Sequence, residues 1–221
     1  VVMLSSLNSS SQGFEQNPQI PEFNFQLFSP QQQPYRMQPI WQLVAGNLAA
    51  NGDVTPEEAM SAARDPMFDD HANTRVIAIQ HKSGRLAGTF SITVDGDDGF
   101  PVSRYFDNEL KFARRQHRLV NGWRFSMSPL YQSPILRQRT FALFKQLVRL
   151  HDADAFAIYH NQRLEKYYQR LFNGRVLASK SISFDGHHEL PVNLLICETA
   201  KNAPDPRYCH NGTDYEHDLV I

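Results

Sequence analysis

Arg124 is the first residue whose type and place ask for a chemical explanation. It falls inside an apolar, strand-forming stretch over residues 120–127. A guanidinium in a core strand is costly unless it faces a cleft or meets an anion such as a carboxylate. The alternative is a solvent-facing position on a half-exposed strand, which a period of two equally allows. Asp69, Asp70 and His71 stand together ahead of another strand, where they either form a polar turn or offer a proton acceptor. Basic residues then concentrate: residues 111–149 hold nine Lys or Arg and no Asp or Glu, while the remainder carries 13 basic and 23 acidic residues. Such a block is either a solvated face neutralised by the chain's own acids or a surface for an anionic partner: a phosphate, a carboxylate or an acidic protein.

Two other patterns point to metals only superficially. Asp95-Gly96-Asp97-Asp98-Gly99 opens like a calcium loop, but the twelfth position is Phe106, where a carboxylate is needed, so it reads as an acidic turn. Cys209, His210 and His217 lack a C-x-x-C partner, and no metal is expected there. A formal charge of -1 and aromatics that do not interleave with the basic residues argue against nucleic acid. The longest apolar run, residues 155–159, is far short of the ~20 residues a membrane span requires. The first basic residue is Arg36, so the start of the chain lacks the basic region of a secretory signal. Two cysteines are too few for a disulfide framework. These features predict a cytoplasmic protein.

The elements that must position the chemistry follow from local pattern. Ser133 and Pro134 form a helix start, after which Leu136, Leu143, Leu147 and Leu150 recur at helical spacing. Asn161 is a second N-cap, followed by Leu164, Tyr167, Tyr168 and Leu171 on one stripe, with Asn173-Gly174 suited to end the helix. Strands are predicted over 75–81 and 86–94 with a hairpin at 82–85, over 120–127 and 155–159, and as a closing pair over 175–184 and 190–198. Helices are predicted over 40–48, from Thr55 to about Arg64, and over 103–116. Phe23, Phe25, Leu27 and Phe28 alternate as a short edge strand would. The organisation expected is a single mixed α/β domain over 35–198, a polar N-terminal tail over 1–34 read mostly as disordered, and a loop-like C-terminal tail over 199–221.

This order, with a hairpin ahead of a central strand, two crossover helices and a final antiparallel pair, resembles the GCN5-related N-acyltransferase (GNAT) fold. The segment 69–195 is similar to the branch that contains autoinducer synthases and FeeM-type N-acyl amino acid synthases. Phe68-Asp69-Asp70-His71, Leu86-Ala87-Gly88-Thr89-Phe90, Phe100-Pro101 with Glu109-Leu110, Arg124 with Met127-Ser128-Pro129, Asn161 to Leu171, and Leu190 to Leu195 carry the likeness. The resemblance implies a mostly antiparallel sheet flanked by helices. It also implies transfer of a fatty acyl group from an acyl carrier protein or coenzyme A thioester to the amine of an amino acid, with no cofactor. The alternatives are an acyl-homoserine-lactone-type synthase and an inactive acyl- or carrier-binding module.

By the same resemblance Tyr168 protonates the departing thiolate, Ser126 lies where the oxyanion is bound, and Asn121 stands where relatives often carry Glu. An amide can orient an amine but cannot take its proton. Tyr168 has a second reading, as a core aromatic on its apolar stripe. Arg124, Asp69 and His71 are the substrate-binding candidates. Lys111, Arg114, Arg115, Gln132 and Arg137 are the candidates for the carrier protein or its phosphopantetheine. The loop 132–136 has no glycine, and Pro134 removes a backbone donor from the place where a pyrophosphate would be cradled.

Overall fold

The structure is a computed structural model that describes residues 22–183 and 189–199. Seven strands form one sheet: β1 (Phe23–Phe28), β2 (Thr74–His81), β3 (Leu86–Val94), β4 (Leu119–Met127), β5 (Ala155–Asn161), β6 (Arg175–Ser183) and β7 (Glu189–Glu198). Their spatial order is β1-β2-β3-β4-β5-β7-β6. Every neighbouring pair is antiparallel except β4 and β5, whose connection crosses over through a helix as parallel strands require. The GNAT-like mixed sheet flanked by helices is therefore the fold. Phe23–Phe28 pairs along its whole length with β2, so the ordered body begins before residue 35, and the tail boundary expected at 34 is corrected. Its alternating aromatics pack on the core from the sheet edge. The tail over 200–221, with Cys209, His210 and His217, lies outside the described residues.

The helices are α1 (Met37–Ala50), α2 (Ala59–Ala62), α3 (Ser103–Gln116), α4 (Pro134–Leu150) and α5 (Glu165–Phe172). The helix expected from Thr55 shortens to α2, with turns before it. Alternation along each strand sorts side chains onto two faces. Ile77, Ile79, Val120, Phe156 and Ile158 face α4 and α5, meeting Leu136, Phe144, Leu147 and Phe172. Leu119, Ala155, Ala157, Leu194 and Ile196 meet α3 through Phe106 and Leu110. Val76 and Ala78 meet α1 through Met37 and Ile40. Leu150, expected on the core stripe, ends α4 half in solvent. Ser133 accepts from Leu136 N at 3.0 Å, and Asn173 closes α5 at φ 46, as their residue types predict.

The parallel pair is short. β4 and β5 share only Leu119–Asn121 against Ala155–Ala157. β4 nevertheless pairs with β3 as far as Met127, and β5 with β7 as far as Asn161. The sheet thus forks after Asn121. At the fork the Phe144 ring of α4 lies over Gly122, where a Cβ would stand 2.6 Å from Cε2 of Phe144 and 3.2 Å from Cγ2 of Ile158. Gly122 is required because the ring occupies the space of a side chain. We expect Gly122→Ala to cost about 1–3 kcal/mol through overpacking and to lower Tm by several degrees. Calorimetry showing an unchanged Tm would mean that Phe144 does not sit against this backbone.

Candidate active site

Beyond Asn121 and Ala157 no backbone hydrogen bond crosses the fork among the described residues. A cavity of about 750 Å³ opens between the two strands, lined by Trp123 to Met127 on β4 and Ile158 to Asn161 on β5. The strand edges there retain backbone N–H and C=O groups turned away from any ladder partner, which must bond water or a ligand.

β4 carries a bulge at this point. Thr89 pairs with Ser126 and Ser91 with Trp123, so Phe90 opposes both Arg124 and Phe125. Arg124 takes the left-handed conformation, φ 55, which costs a non-glycine residue about 1–2 kcal/mol. The extra residue resets the alternation. Val120, Gly122, Phe125 and Met127 turn toward α4, while Arg124 and Ser126 turn toward α1 and the loop after α2. Phe125 stacks on Phe141 at 4.6 Å, and Ser126 Oγ accepts from Asn47 Nδ2 at 2.6 Å.

One wall of the cavity is consequently charged. The Arg124 guanidinium is 2% exposed and lies against Asp69, whose side chain is 9% exposed, at 2.5 Å. Its carbon sits 4.1 Å from the centre of the Trp123 ring. Asp69 Oδ2 is already taken by Trp41 Nε1 and Asp65 N, both at 2.9 Å. The contact with Asp69 Oδ1 is close but poorly directed: both terminal nitrogens of Arg124 and that oxygen remain buried without an aligned hydrogen-bond partner. Burial pulls the Arg124 pKa below its usual value, opposed by Asp69 and then Asp65. Beside it, Arg104 pairs with Asp65 at 3.1 Å.

The opposite wall is aromatic. Phe125, Phe141, Phe144 and Phe172 line it, with Tyr168 of α5 and His160 of β5 at its edge. Tyr168 stacks on His160 with centroids 4.8 Å apart and planes 19° apart, and is parallel to Phe172. Burial raises the Tyr168 phenol above its ordinary pKa, so it keeps its proton through the neutral range.

The fork gathers Arg124, Ser126, Tyr168, Gln132 and Arg137 around one cavity. Other expected site residues lie elsewhere. Asn121 is fully buried at the last rung, where Oδ1 accepts from Val102 N at 3.2 Å and Nδ2 donates to Ala157 O at 2.9 Å; its amide is a clasp at the fork. Asp69 reaches the cavity only through Arg124. His71 is held in a turn by Asp98 at 3.1 Å and by Asn73 N. Arg114 is consumed by Asp95 and Asp107, Lys111 bonds Asn108, and Arg115 is exposed near the end of α3, beside the closed end of the fork. The basic block is thus divided, and much of it is neutralised internally. His160 and Asn47 were not singled out by sequence. Nothing in a strand-ending His or a mid-helix Asn marks it, although Asn161 next to His160 was legible as a cap.

A family model described as N-acyl amino acid synthase FeeM matches residues 40–198. No curated protein sequence matches. Among solved structures, FeeM, an N-acyl amino acid synthase from uncultured soil microbes, is similar at TM-score 0.63 and 19% identity, covering 76% of this chain and 93% of that one. TofI, solved in a ternary complex with an inhibitor and MTA, is similar at TM-score 0.57 and 13% identity, covering 79% and 91%. An acyl-CoA N-acyltransferase from Pseudomonas aeruginosa is similar at TM-score 0.55 and 12% identity, covering 79% and 99%.

The buried pair makes a prediction. Asp69→Ala should cost about 3–5 kcal/mol, because it strands a buried guanidinium, whereas the double variant Asp69→Asn/Arg124→Met, which keeps an acceptor for Trp41 Nε1 and Asp65 N, should recover most of the loss. Urea unfolding of the single and double variants checks this. Equal stabilities would show that the pair is solvated.

Proposed function

The chain belongs to the N-acyl amino acid synthase FeeM family of N-acyltransferases, and on that premise we propose that it moves a fatty acyl group from an acyl carrier protein to the amine of an amino acid. The observation that carries this reading is the pair of unsatisfied guanidinium nitrogens on Arg124, buried in one wall of a cavity whose other wall is aromatic. A planar guanidinium whose anionic neighbour, Asp69 Oδ1, is close but poorly directed keeps N–H donors that suit a second carboxylate. An amino acid held there by its carboxylate presents its amine toward the fork. The acyl chain then lies against Phe125, Phe141, Phe144 and Phe172.

Chemistry follows from this placement. The amine attacks the thioester carbonyl and an oxyanion develops, for which Ser126 is a donor: Asn47 already donates to its Oγ, leaving its own proton to give. The freed backbone edges of the fork can bond the thioester and its pantetheine arm. The thiolate leaves and takes a proton from Tyr168.

The carrier protein is preferred over coenzyme A because the turn into α4 is a poor pyrophosphate cradle. Ser133 spends its hydroxyl on Leu136 N, and Pro134 has no N–H. A carrier-borne arm brings one phosphodiester and an acidic surface. Exposed Gln132 and half-buried Arg137 line the cavity near that turn, and the apolar side chains of Leu130 and Ile135 are exposed close by. Lys111 and Arg115 extend the positive charge along α3 without reaching the cavity. His71 is not used, and Asp69 acts by holding Arg124. The expectation of a cytoplasmic enzyme is kept, with Cys197 a buried free thiol.

Mass spectrometry of lipids from expressing cells should show N-acyl amino acids. Acyl lactones in their place would favour the homoserine-lactone reading. In purified assays a dodecanoyl carrier protein should give kcat/KM at least about tenfold above dodecanoyl-CoA, a difference of 1.4 kcal/mol in transition-state binding. Equal turnover of both donors would overturn the carrier preference alone.

A further inference from the structure

The proposed reaction needs a group that accepts the amine's proton, and the carboxylates and imidazole read from the sequence do not supply it. Asp69 is committed to Arg124, Trp41 and a backbone amide, His71 to Asp98, and Asp70 is exposed in the turn before β2, outside the cavity lining. The carboxylates that line the cavity are also spent: Asp53 pairs with Arg163 at 3.0 Å, and Asp65 with Arg104 and two backbone amides. One proton acceptor on the cavity wall is different. His160 is 5% exposed, and its Nε2 is buried without a hydrogen-bond partner among the described residues.

The chemistry of that nitrogen follows from its neighbour. Nδ1 lies 3.0 Å from Asn161 O, which can only accept, so Nδ1 carries the proton and donates it. Nε2 is then a lone pair. The ring is held in orientation by that bond and by the face-to-face stack on Tyr168. Its position along the fork is as informative as its protonation. Arg124 is three residues past Asn121 on β4, and His160 is three residues past Ala157 on β5, where Asn121 and Ala157 form the last rung. At roughly 3.3 Å per residue both lie about 10 Å beyond the fork point, on facing strands. Measured along the strands, a substrate anchored at Arg124 is therefore level with His160, which stands on the opposite wall of the cavity.

We propose that His160 is the general base of the acyl transfer, taking the amine's proton on Nε2. This inference rests on the amine-acylating reading above and adds the residue that reading lacks. As the amine nitrogen bonds to the thioester carbon, the carbonyl electron pair moves to oxygen and the N–H proton passes to Nε2. The oxyanion collapses, the C–S bond breaks with its pair on sulfur, and Tyr168 gives its proton to sulfur. The imidazolium returns a proton to the Tyr168 phenolate through water, so that amine and thioester become amide and thiol with no net proton change.

The surroundings suit a base that is free at neutral pH. Burial lowers the His160 pKa; the backbone bond to Asn161 and the charge of Glu165 on α5 oppose it only in part. Glu165 is itself drawn off by Asn193 Nδ2 at 2.8 Å and Gln169 Nε2 at 3.1 Å. The cross-strand neighbour on β7 is the uncharged Asn193. Arg137 on α4 acts on the adjoining Tyr168, and across the cavity the Arg124 charge is met by Asp69. The sign is that of a base: protonation of His160 shuts the reaction, so rate falls as pH drops through a pKa below that of ordinary histidine.

The test uses the full chain with dodecanoyl-pantetheine and a pool of the common amino acids, reading released thiol and acylated product. His160→Phe keeps a ring to stack on Tyr168 and should hold Tm within a degree or two, roughly, while lowering kcat on the order of 10²–10⁴-fold and abolishing the acid limb of the kcat/KM profile. His160→Gly should be partly rescued by added imidazole. Nitrogen-15 NMR of the wild type should report a bare Nε2 at neutral pH. His160→Phe at wild-type rate with its acid limb intact overturns the assignment, and so does an Nε2–H tautomer. Those failures are distinct from a failure of the functional reading, in which the wild-type chain acylates no amino acid at all.

Discussion

The structure depends on where one hydrogen-bond ladder stops. Two parallel strands in the middle of a sheet would ordinarily pair along their length, because an unpaired buried backbone group costs about as much as a lost hydrogen bond. β4 and β5 give this up after three pairs. Phe144 marks the place: its ring packs edge-on to Phe90, Phe156 and Phe172 and covers Gly122 from the α4 face, at the residue where the ladder ends. Asn121 secures the other side of that boundary by spending its amide on Val102 N and Ala157 O. One side chain covers the sheet where it opens, and the one before Gly122 ties the two strands at the last rung.

The opening alone would be a polar slot, and the bulge makes it two-sided. Without the extra residue at Arg124, strict alternation would send Arg124 toward α4 with Val120 and Gly122, and Phe125 toward the opposite face. The bulge sends the guanidinium toward Asp69 and the phenyl ring toward Phe141. Left-handed backbone at a bulky residue and a desolvated cation are both costs, and local packing against Trp123 and Asp69 offsets them only in part, since two nitrogens stay unsatisfied. Residual cost of that kind gathers at sites built for a ligand.

Most elements were legible because their signals are local. Ser133-Pro134, Asn161 and Asn173 act within one helical turn of themselves, and the predicted span of α3 agrees with the observed Ser103–Gln116 at both ends. The fork was not legible, since the contact of Phe144 with Gly122 that marks it joins residues 22 positions apart in sequence, and no periodicity records that meeting. For the same reason Asn121 read as chemistry and is a clasp. The bulge hid the facing of Arg124, because a one-residue slip in register is invisible to a period-two pattern. The basic run read as one block, but a helix and a strand carry it to opposite ends of the fork, and only part of it can meet a partner there.

His160 shows what sequence could and could not say about the chemistry. A histidine at the end of a strand has no signature, and its role depends on three independent facts: a carbonyl at Nδ1, an aromatic ring on its face, and a partner strand that has turned away. The third is decisive. Where β4 and β5 part, the cavity opens beside β5, and among the described residues nothing hydrogen-bonds Nε2 there. The fork that frees backbone donors for a thioester is thus also where an imidazole lone pair stands without a protein donor among the described residues. Donors for the developing oxyanion and an acceptor for the amine's proton thus stand on the two facing edges of one fork, between which the reacting carbon would lie.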